Sequence, residues 1–419
     1  MSENLVPASE RTDRDGDQRH IRLQFCGLLT RATMQSPQPM LRTVPVLSHE
    51  NAITHGCNLP RVDVSPPEGD PVLRGCCEEL ETRRKVSGYE SDCIQCLIRR
   101  NKPFFLGRTG MGHESWTACL AATNNWNTTY WPIIRRHLTY KNGVPTANTS
   151  DAMEFGRCYA AAVNASDLMV RWGARSMPHL REGGHGKAGI RGASRGGRCG
   201  GRWTDTFLKS DILLEQSGHW PRRALSEEVV QEPYRLDLNV TWLSALANRT
   251  VLIVHPFNES IQKQLGLRSA TDDYVSVAAG RREAIWGDWG RTLMPSGMRL
   301  KIVVPPVSFA GADEYKNWRP ALAALLARVD AAGPFDVALL SCGGLGMPLG
   351  AYLRRTGRSS IYIGGSLQIW FGIIGNRWRG WKKSNPFLRK TLNNSNWVSP
   401  LPSERPPGYK TEENSAYWR

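Results

Sequence analysis

From Thr250 onward the sequence repeats one unit: a short continuous apolar run, a turn rich in glycine or proline, and a helical stretch. The apolar runs are Thr250-Val251-Leu252-Ile253-Val254, Lys301-Ile302-Val303-Val304, Asp336-Val337-Ala338-Leu339-Leu340 and Ser360-Ile361-Tyr362-Ile363. A strand with one wet face alternates polar and apolar residues. These runs do not, so both faces of their sheet are expected to be covered. Helical stretches stand between them at 259–265, 318–329 and 347–355, with a short helix at 242–247 before the first run. Strand–helix alternation predicts an α/β fold with a doubly wound, mostly parallel sheet. Right-handed crossovers then put the C-terminal ends of the strands on one edge, where ligands bind.

The earlier half is expected to join this sheet. Residues 103–107 form a buried strand feeding a turn, and 113–123 and 152–172 follow as helices. The uncharged stretches 337–353 and 361–376 are broken by glycine pairs and too short to span a membrane as helices. They are expected to be strand–turn–helix units. Residues 1–70 have the composition of a disordered or loosely folded leader, and 71–180 open the α/β domain. The segment 181–223 is an insertion. Nine glycines and six Lys or Arg between 181 and 202 stand against Glu182 alone, so the insertion is expected to be flexible and residues 181–202 dispensable for folding. Residues 224–419 complete the Rossmann-like domain.

The turns after the strands carry the residues suited to chemistry. Arg108, Gly110 and Glu114 follow the first strand, His255 and Asn258 the second. Gly343 and Gly344 follow Leu340; Gly364, Gly365 and Gln368 follow Ile363. Glycines let backbone approach a ligand, and amides at a helix start favour phosphate. The spacing is neither a dinucleotide fingerprint nor a P-loop. By type, Arg108 and Arg377 suit a diphosphate, because a guanidinium offers two parallel donors. Glu114 suits a general base and His255 a proton acceptor; Asn258 and Gln368 suit hydrogen bonds to sugar or base. Each has a plainer use: an internal Arg108–Glu114 ion pair, a structural histidine, helix capping.

Residues 104–114, Phe-Phe-Leu-Gly-Arg-Thr-Gly-Met-Gly-His-Glu, resemble the Arg-x-Gly-x-x-x-Glu opening of a polysaccharide-cluster family related to the GT-D-type glycosyltransferases. Residues 251–264, 335–350 and 363–378 agree, as does the ending with Glu413 and Tyr417-Trp418. The resemblance implies a Rossmann-like fold that transfers a sugar from a nucleotide-sugar donor to a glycan acceptor in polysaccharide synthesis. It also implies an Asp-x-Glu metal motif after the first strand. Here Met111 and His113 take the acidic places, which leaves Glu114, one position displaced, as the acid of the block. A divalent metal is therefore an open cofactor. The alternatives are a nucleotide- or sugar-binding module without turnover and, ranked last, an RNA-associated protein using Arg191 to Arg202.

The net charge of +16 favours anionic partners. The ten cysteines lack the spacing of a small disulfide scaffold. Cys76, Cys77, Cys93 and Cys96 are expected to be reduced thiols rather than a zinc knuckle, and the chain cytoplasmic. Seven Asn-x-Ser/Thr sequons, at Asn127, Asn148, Asn164, Asn239, Asn248, Asn258 and Asn393, point instead to a lumenal compartment.

Overall fold

The computed structural model describes residues 73, 75–77, 87–110, 112–172, 199, 206–219, 223–231, 241–266, 274–312, 314–379, 394–410 and 416–418. The proposed leader and most of the Gly/Arg-rich insertion lie outside them, as does Glu413.

Eight strands form one sheet: β1 (Phe105–Arg108), β2 (Leu168–Arg171), β3 (Ala224–Ser226), β4 (Thr250–Val254), β5 (Val275–Ser276), β6 (Arg299–Val303), β7 (Val337–Leu340) and β8 (Ser360–Tyr362). Their order is β3-β2-β1-β8-β7-β4-β6-β5. Every pairing is parallel except β5 with β6, at the edge. The fold is a doubly wound, Rossmann-like α/β sheet.

Alternate residues of one strand enter opposite cores. Val251 and Ile253 of β4 join one apolar cluster while Leu252 and Val254 join the other, and Leu106 and Phe105 of β1 divide the same way. Because both faces are buried, the central positions of β4 and β7 are all apolar, which is why these runs are continuous in sequence.

The longer helices are α1 (Ser87–Arg99), α2 (His113–Ala122), α3 (Trp131–Asn142), α4 (Thr149–Asn164), α5 (Thr206–Gln216), α6 (Asn258–Leu265), α7 (Trp318–Ala331) and α8 (Gly346–Arg355). Asn148 starts α4 by accepting from the Asp151 amide at 2.9 Å, and Asn317 starts α7 by accepting from the Arg319 amide at 2.9 Å. The chain after β1 and after β7 covers one face (Trp116, Cys119, Met347, Leu349). The chain after β4 and after β8 covers the other (Phe257, Ile261, Leu367, Trp370). Connections that leave neighbouring strands toward opposite faces part from each other and open a crevice at the C-terminal edge.

Several sequence expectations are corrected. Residues 152–172 are not one helix: α4 ends at Asn164, and Leu168-Met169-Val170 is strand β2. The backbone of Asp167 donates to the Phe105 carbonyl at 2.9 Å, so the chain turns into the sheet there. The segment 242–247 is a 3-10 helix, Trp242–Leu246. The thiols are not reduced. Cys76 pairs with Cys96 and Cys77 with Cys93, which pins residues 75–77 to α1. Cys119 of α2 pairs with Cys199 across 80 residues. Cys158 is also disulfide-bonded, and Cys342 is free and buried. Cys199 is 1% exposed and belongs to the core over α2. The expectation that 181–202 can be dispensed with therefore fails at this residue. Composition averages a segment, whereas one cysteine can anchor it.

Among the described residues no helix is long and apolar enough to cross a membrane.

Candidate functional site

The turn after β1 is fixed at its backbone. The Gly110 amide donates to the Tyr159 hydroxyl at 2.9 Å, and that hydroxyl donates to the Arg108 carbonyl at 3.3 Å. The Trp172 indole donates to the Thr109 carbonyl at 2.6 Å. The Thr109 hydroxyl meets that of Ser210, and the Ser115 hydroxyl donates to the Gly110 carbonyl. Four side chains thus hold three consecutive residues, and Arg108 leaves from a rigid base.

The Arg108 guanidinium lies over two aromatic rings, 4.7 Å from the Trp172 centroid and 5.4 Å from that of Tyr362. Aromatic faces hold a cation in place without neutralising it. Its Nε is buried without a hydrogen-bond partner, and no carboxylate forms an ion pair with Arg108 among the described residues. The guanidinium reaches Gly364, whose φ is +79°. A Cβ there would stand 2.1 Å from Nη1, so Gly364 meets both a left-handed backbone and a close approach.

Glu114, in the first turn of α2, is 5% exposed. Its side chain folds under Gly110 and Gly112, where a Cβ at Gly110 would lie 1.8 Å from Oε1. Oε2 has no hydrogen-bond partner. Burial pushes the carboxyl from 4.5 up to about 7, against the opposing pulls of its backbone hydrogen bond and of the Arg108 charge. A Cβ at Gly112 would meet both Glu114 Oε2 and the Asn142 amide nitrogen at 2.6 Å, so the end of α3 closes this side. The Asn142 carbonyl in turn lies 2.5 Å from a Cβ built on Gly343, which has φ +58°. Tyr362 donates to the Gly343 carbonyl at 2.6 Å, and burial raises its phenol above the ordinary range.

The structure therefore brings Arg108, Gly110, Glu114, Gly343 and Gly364 to one place, the C-terminal ends of β1, β8 and β7. Gly365 and Arg377 join through Tyr417. A Cβ on Gly365 would strike the Tyr417 ring at 2.2 Å, while Arg377 donates to the Tyr417 hydroxyl at 3.0 Å and lies 4.6 Å from the ring centroid. Gly344 serves packing, since a Cβ would lie 2.4 Å from Val144. Gln368 is fully buried and bridges backbone, donating to the Ile373 and Tyr417 carbonyls at 3.2 and 3.3 Å.

His255 and Asn258 share the sheet edge but make none of these contacts. His255 Nδ1 accepts from the Phe257 amide at 3.0 Å, which leaves the proton on Nε2. Burial pulls it down from 6.5 to about 3, so the ring is neutral. Asn258 begins α6 and accepts from Gln262 at 2.9 Å. Two acids further along the chain are also on the surface: Glu283, in the helix Arg281–Trp286, pairs with Arg291 at 3.1 Å, and Asp288 is exposed. Among the described residues no three His, Cys, Asp or Glu side chains cluster to hold a metal.

Sequence reasoning missed Tyr159, Trp172, Tyr362 and Asn142 as parts of this site. The three aromatics sit within apolar helix or strand patterns, where they look like core. Tyr417 stood in the family-like ending, the one signal that pointed at it.

No protein-family model, curated protein or solved structure matches this chain.

Proposed function

We propose that this crevice binds a nucleotide-sugar donor and that the protein is a glycosyltransferase acting on a glycan acceptor. The observation that carries the reading is Arg108: a guanidinium held against two aromatic rings at a sheet's C-terminal edge, with no carboxylate ion pair among the described residues, facing a turn that only glycine fits. Such a group takes a diphosphate through two parallel charge-assisted bonds. Gly343 and Gly364 let the Asn142 carbonyl and the Arg108 guanidinium pack closely against the turns that border the crevice, and Arg377 and Tyr417 border the far side.

Glu114 is the base in this reading. A carboxyl that titrates at about 7 is part ionised at neutral pH, the condition for efficient proton transfer. It takes the proton of the acceptor hydroxyl as that oxygen bonds to the anomeric carbon. The bond from that carbon to the phosphate oxygen breaks, and the nucleoside diphosphate leaves with its charge against Arg108. Glu114 is sealed in the unliganded protein, so the reading requires donor binding to draw its carboxylate toward the crevice.

A panel of nucleotide sugars, read as free nucleotide released with and without manganese, tests the proposal. Release with one donor, lost in Arg108→Ala and Glu114→Gln, is the expected result. Tight binding of a donor without release would leave a binding module. Absence of any nucleotide binding would remove the donor site altogether.

A further inference from the structure

Two kinds of feature lie away from the crevice and have no part in sugar transfer by this protein: its disulfides and its sequons. Seven cysteines, at 76, 77, 93, 96, 119, 158 and 199, are disulfide-bonded. Disulfides persist in oxidising compartments and are reduced in the cytosol. The same compartments of eukaryotic cells attach glycans to Asn-x-Ser/Thr, and a glycan is tolerated in a fold only where the asparagine faces solvent.

Five of the seven sequons fall on described residues, and the structure sorts them. Asn127 and Thr129 are both exposed, in the turn between α2 and α3. Asn148 and Ser150 are both exposed at the start of α4. The Asn148 side chain caps that helix through Oδ1, which accepts from the Asp151 amide. Its Nδ2, the atom that would carry a sugar, makes no hydrogen bond among the described residues. The cap and a glycan are therefore compatible on one side chain. The others are less open. Ser166, of the Asn164 sequon, is 3% exposed and donates to the Val163 carbonyl at 2.7 Å. Ser260, of the Asn258 sequon, is 1% exposed and bonded to Glu404, and Asn258 itself is held by Gln262. Asn248 is exposed, but its side chain packs on Gly297.

We propose that this chain folds in an oxidising, glycosylating compartment and carries N-linked glycans on Asn127 and Asn148. An oligosaccharide passes from a lipid-diphosphate carrier to Nδ2. The nitrogen–anomeric carbon bond forms, the carbon–phosphate oxygen bond breaks, the lipid diphosphate leaves, and the amide gives up a proton. The disulfides form by exchange with the compartment's oxidised dithiol catalysts, each pair of thiols passing two electrons and two protons to a catalyst disulfide. The two positions bracket α3, so the glycans would shield the surface around the exposed Tyr130 and Ile133.

The full-length protein from the cells that make it is treated with peptide N-glycosidase in heavy-oxygen water and mapped by mass spectrometry. The expected result is labelled aspartate at 127 and 148, with Asn127→Gln and Asn148→Gln each removing one glycan's worth of mobility. A parallel sample, alkylated without reduction, should leave Cys76, Cys77, Cys93, Cys96, Cys119 and Cys199 unmodified. An unlabelled protein, label confined to other sequons, or ready alkylation of those six cysteines would overturn the proposal. None of these readouts depends on nucleotide binding, so the donor-site reading stands or falls separately.

Discussion

Replacing Glu114 with glutamine should change the pH dependence of folding in a way that reports directly on the crevice. The carboxyl rises from 4.5 to about 7 because burial removes water from its charged form. The folded state therefore holds this proton more tightly than the unfolded chain does. The stability that the neutral acid contributes is complete below pH 4.5, falls as pH rises through 4.5 to 7, and is absent above. A tenfold change in proton affinity is about 1.4 kcal/mol, so the whole change is about 3 kcal/mol. Glutamine keeps the shape and has no proton to lose. His113 and His255, which burial pulls down to about 3, destabilise the fold as pH falls from 6.5, but they do so in both proteins and cancel in the difference. Urea unfolding at pH 4.5, 6, 7 and 8 should show Glu114→Gln gaining about 3 kcal/mol on the wild type across that range. Parallel stability curves would mean that the carboxyl titrates like an exposed one, and the general-base argument would lose its footing.

Arg108→Ala should weaken binding of a nucleoside diphosphate by about ten- to a hundredfold, since a charge-assisted contact is worth roughly 1.5–3 kcal/mol, and leave the bare nucleoside unaffected; equal losses for both ligands in calorimetry would refute a phosphate role. Arg377→Ala should cost less than Arg108→Ala, because Arg377 is already engaged with Tyr417. Gly364→Ala should lose diphosphate binding as fully as Arg108→Ala, with a drop in stability of roughly 1–3 kcal/mol from the left-handed backbone; unchanged binding would show that Arg108 has room to move aside. Excising 181–202 should lower the melting temperature sharply, because it removes Cys199 and a disulfide closing an 80-residue span, a crosslink worth about 2–4 kcal/mol; Cys199→Ser should reproduce most of the loss.

The central strands were legible because burial on both faces leaves no choice but apolar residues. β1, β4, β7 and β8 stand out on that ground, while β6 showed through its Ile302-Val303-Val304 end and the proline pair that follows. β2 did not, although it lies next to β1. Leu168, Met169 and Val170 follow α4 after only three residues, and Phe155, Tyr159 and Val163 recur every four residues, so Met169 reads as a further member of the same helical face. Short apolar runs carry no period long enough to separate strand from helix. β3 is three residues with a half-buried residue on each side of Leu225, too little signal to rise above its surroundings.

For the site, the sequence could place residues on an edge but not next to one another. Gly343 and Gly364 were visible as turns, yet the two contacts that make them necessary, Asn142 on Gly343 and Arg108 on Gly364, come from strands and helices more than 190 residues away. The same limit explains the cysteines. Adjacent Cys76 and Cys77 are poor ligands for one metal ion, which was legible. One turn of α1 puts Cys93 and Cys96 at the right separation to meet each of them in turn, which was not, because it depends on residues 75–77 lying alongside that helix. A helix presents positions three apart on one face, and two neighbouring cysteines crossing that face pair with both. The rule that governs a C-x-x-C pair on a helix is thus the same for metal and for disulfide. What decides between them is the partner strand of chain, and here that partner offers two adjacent thiols where a metal site would need two spaced ones.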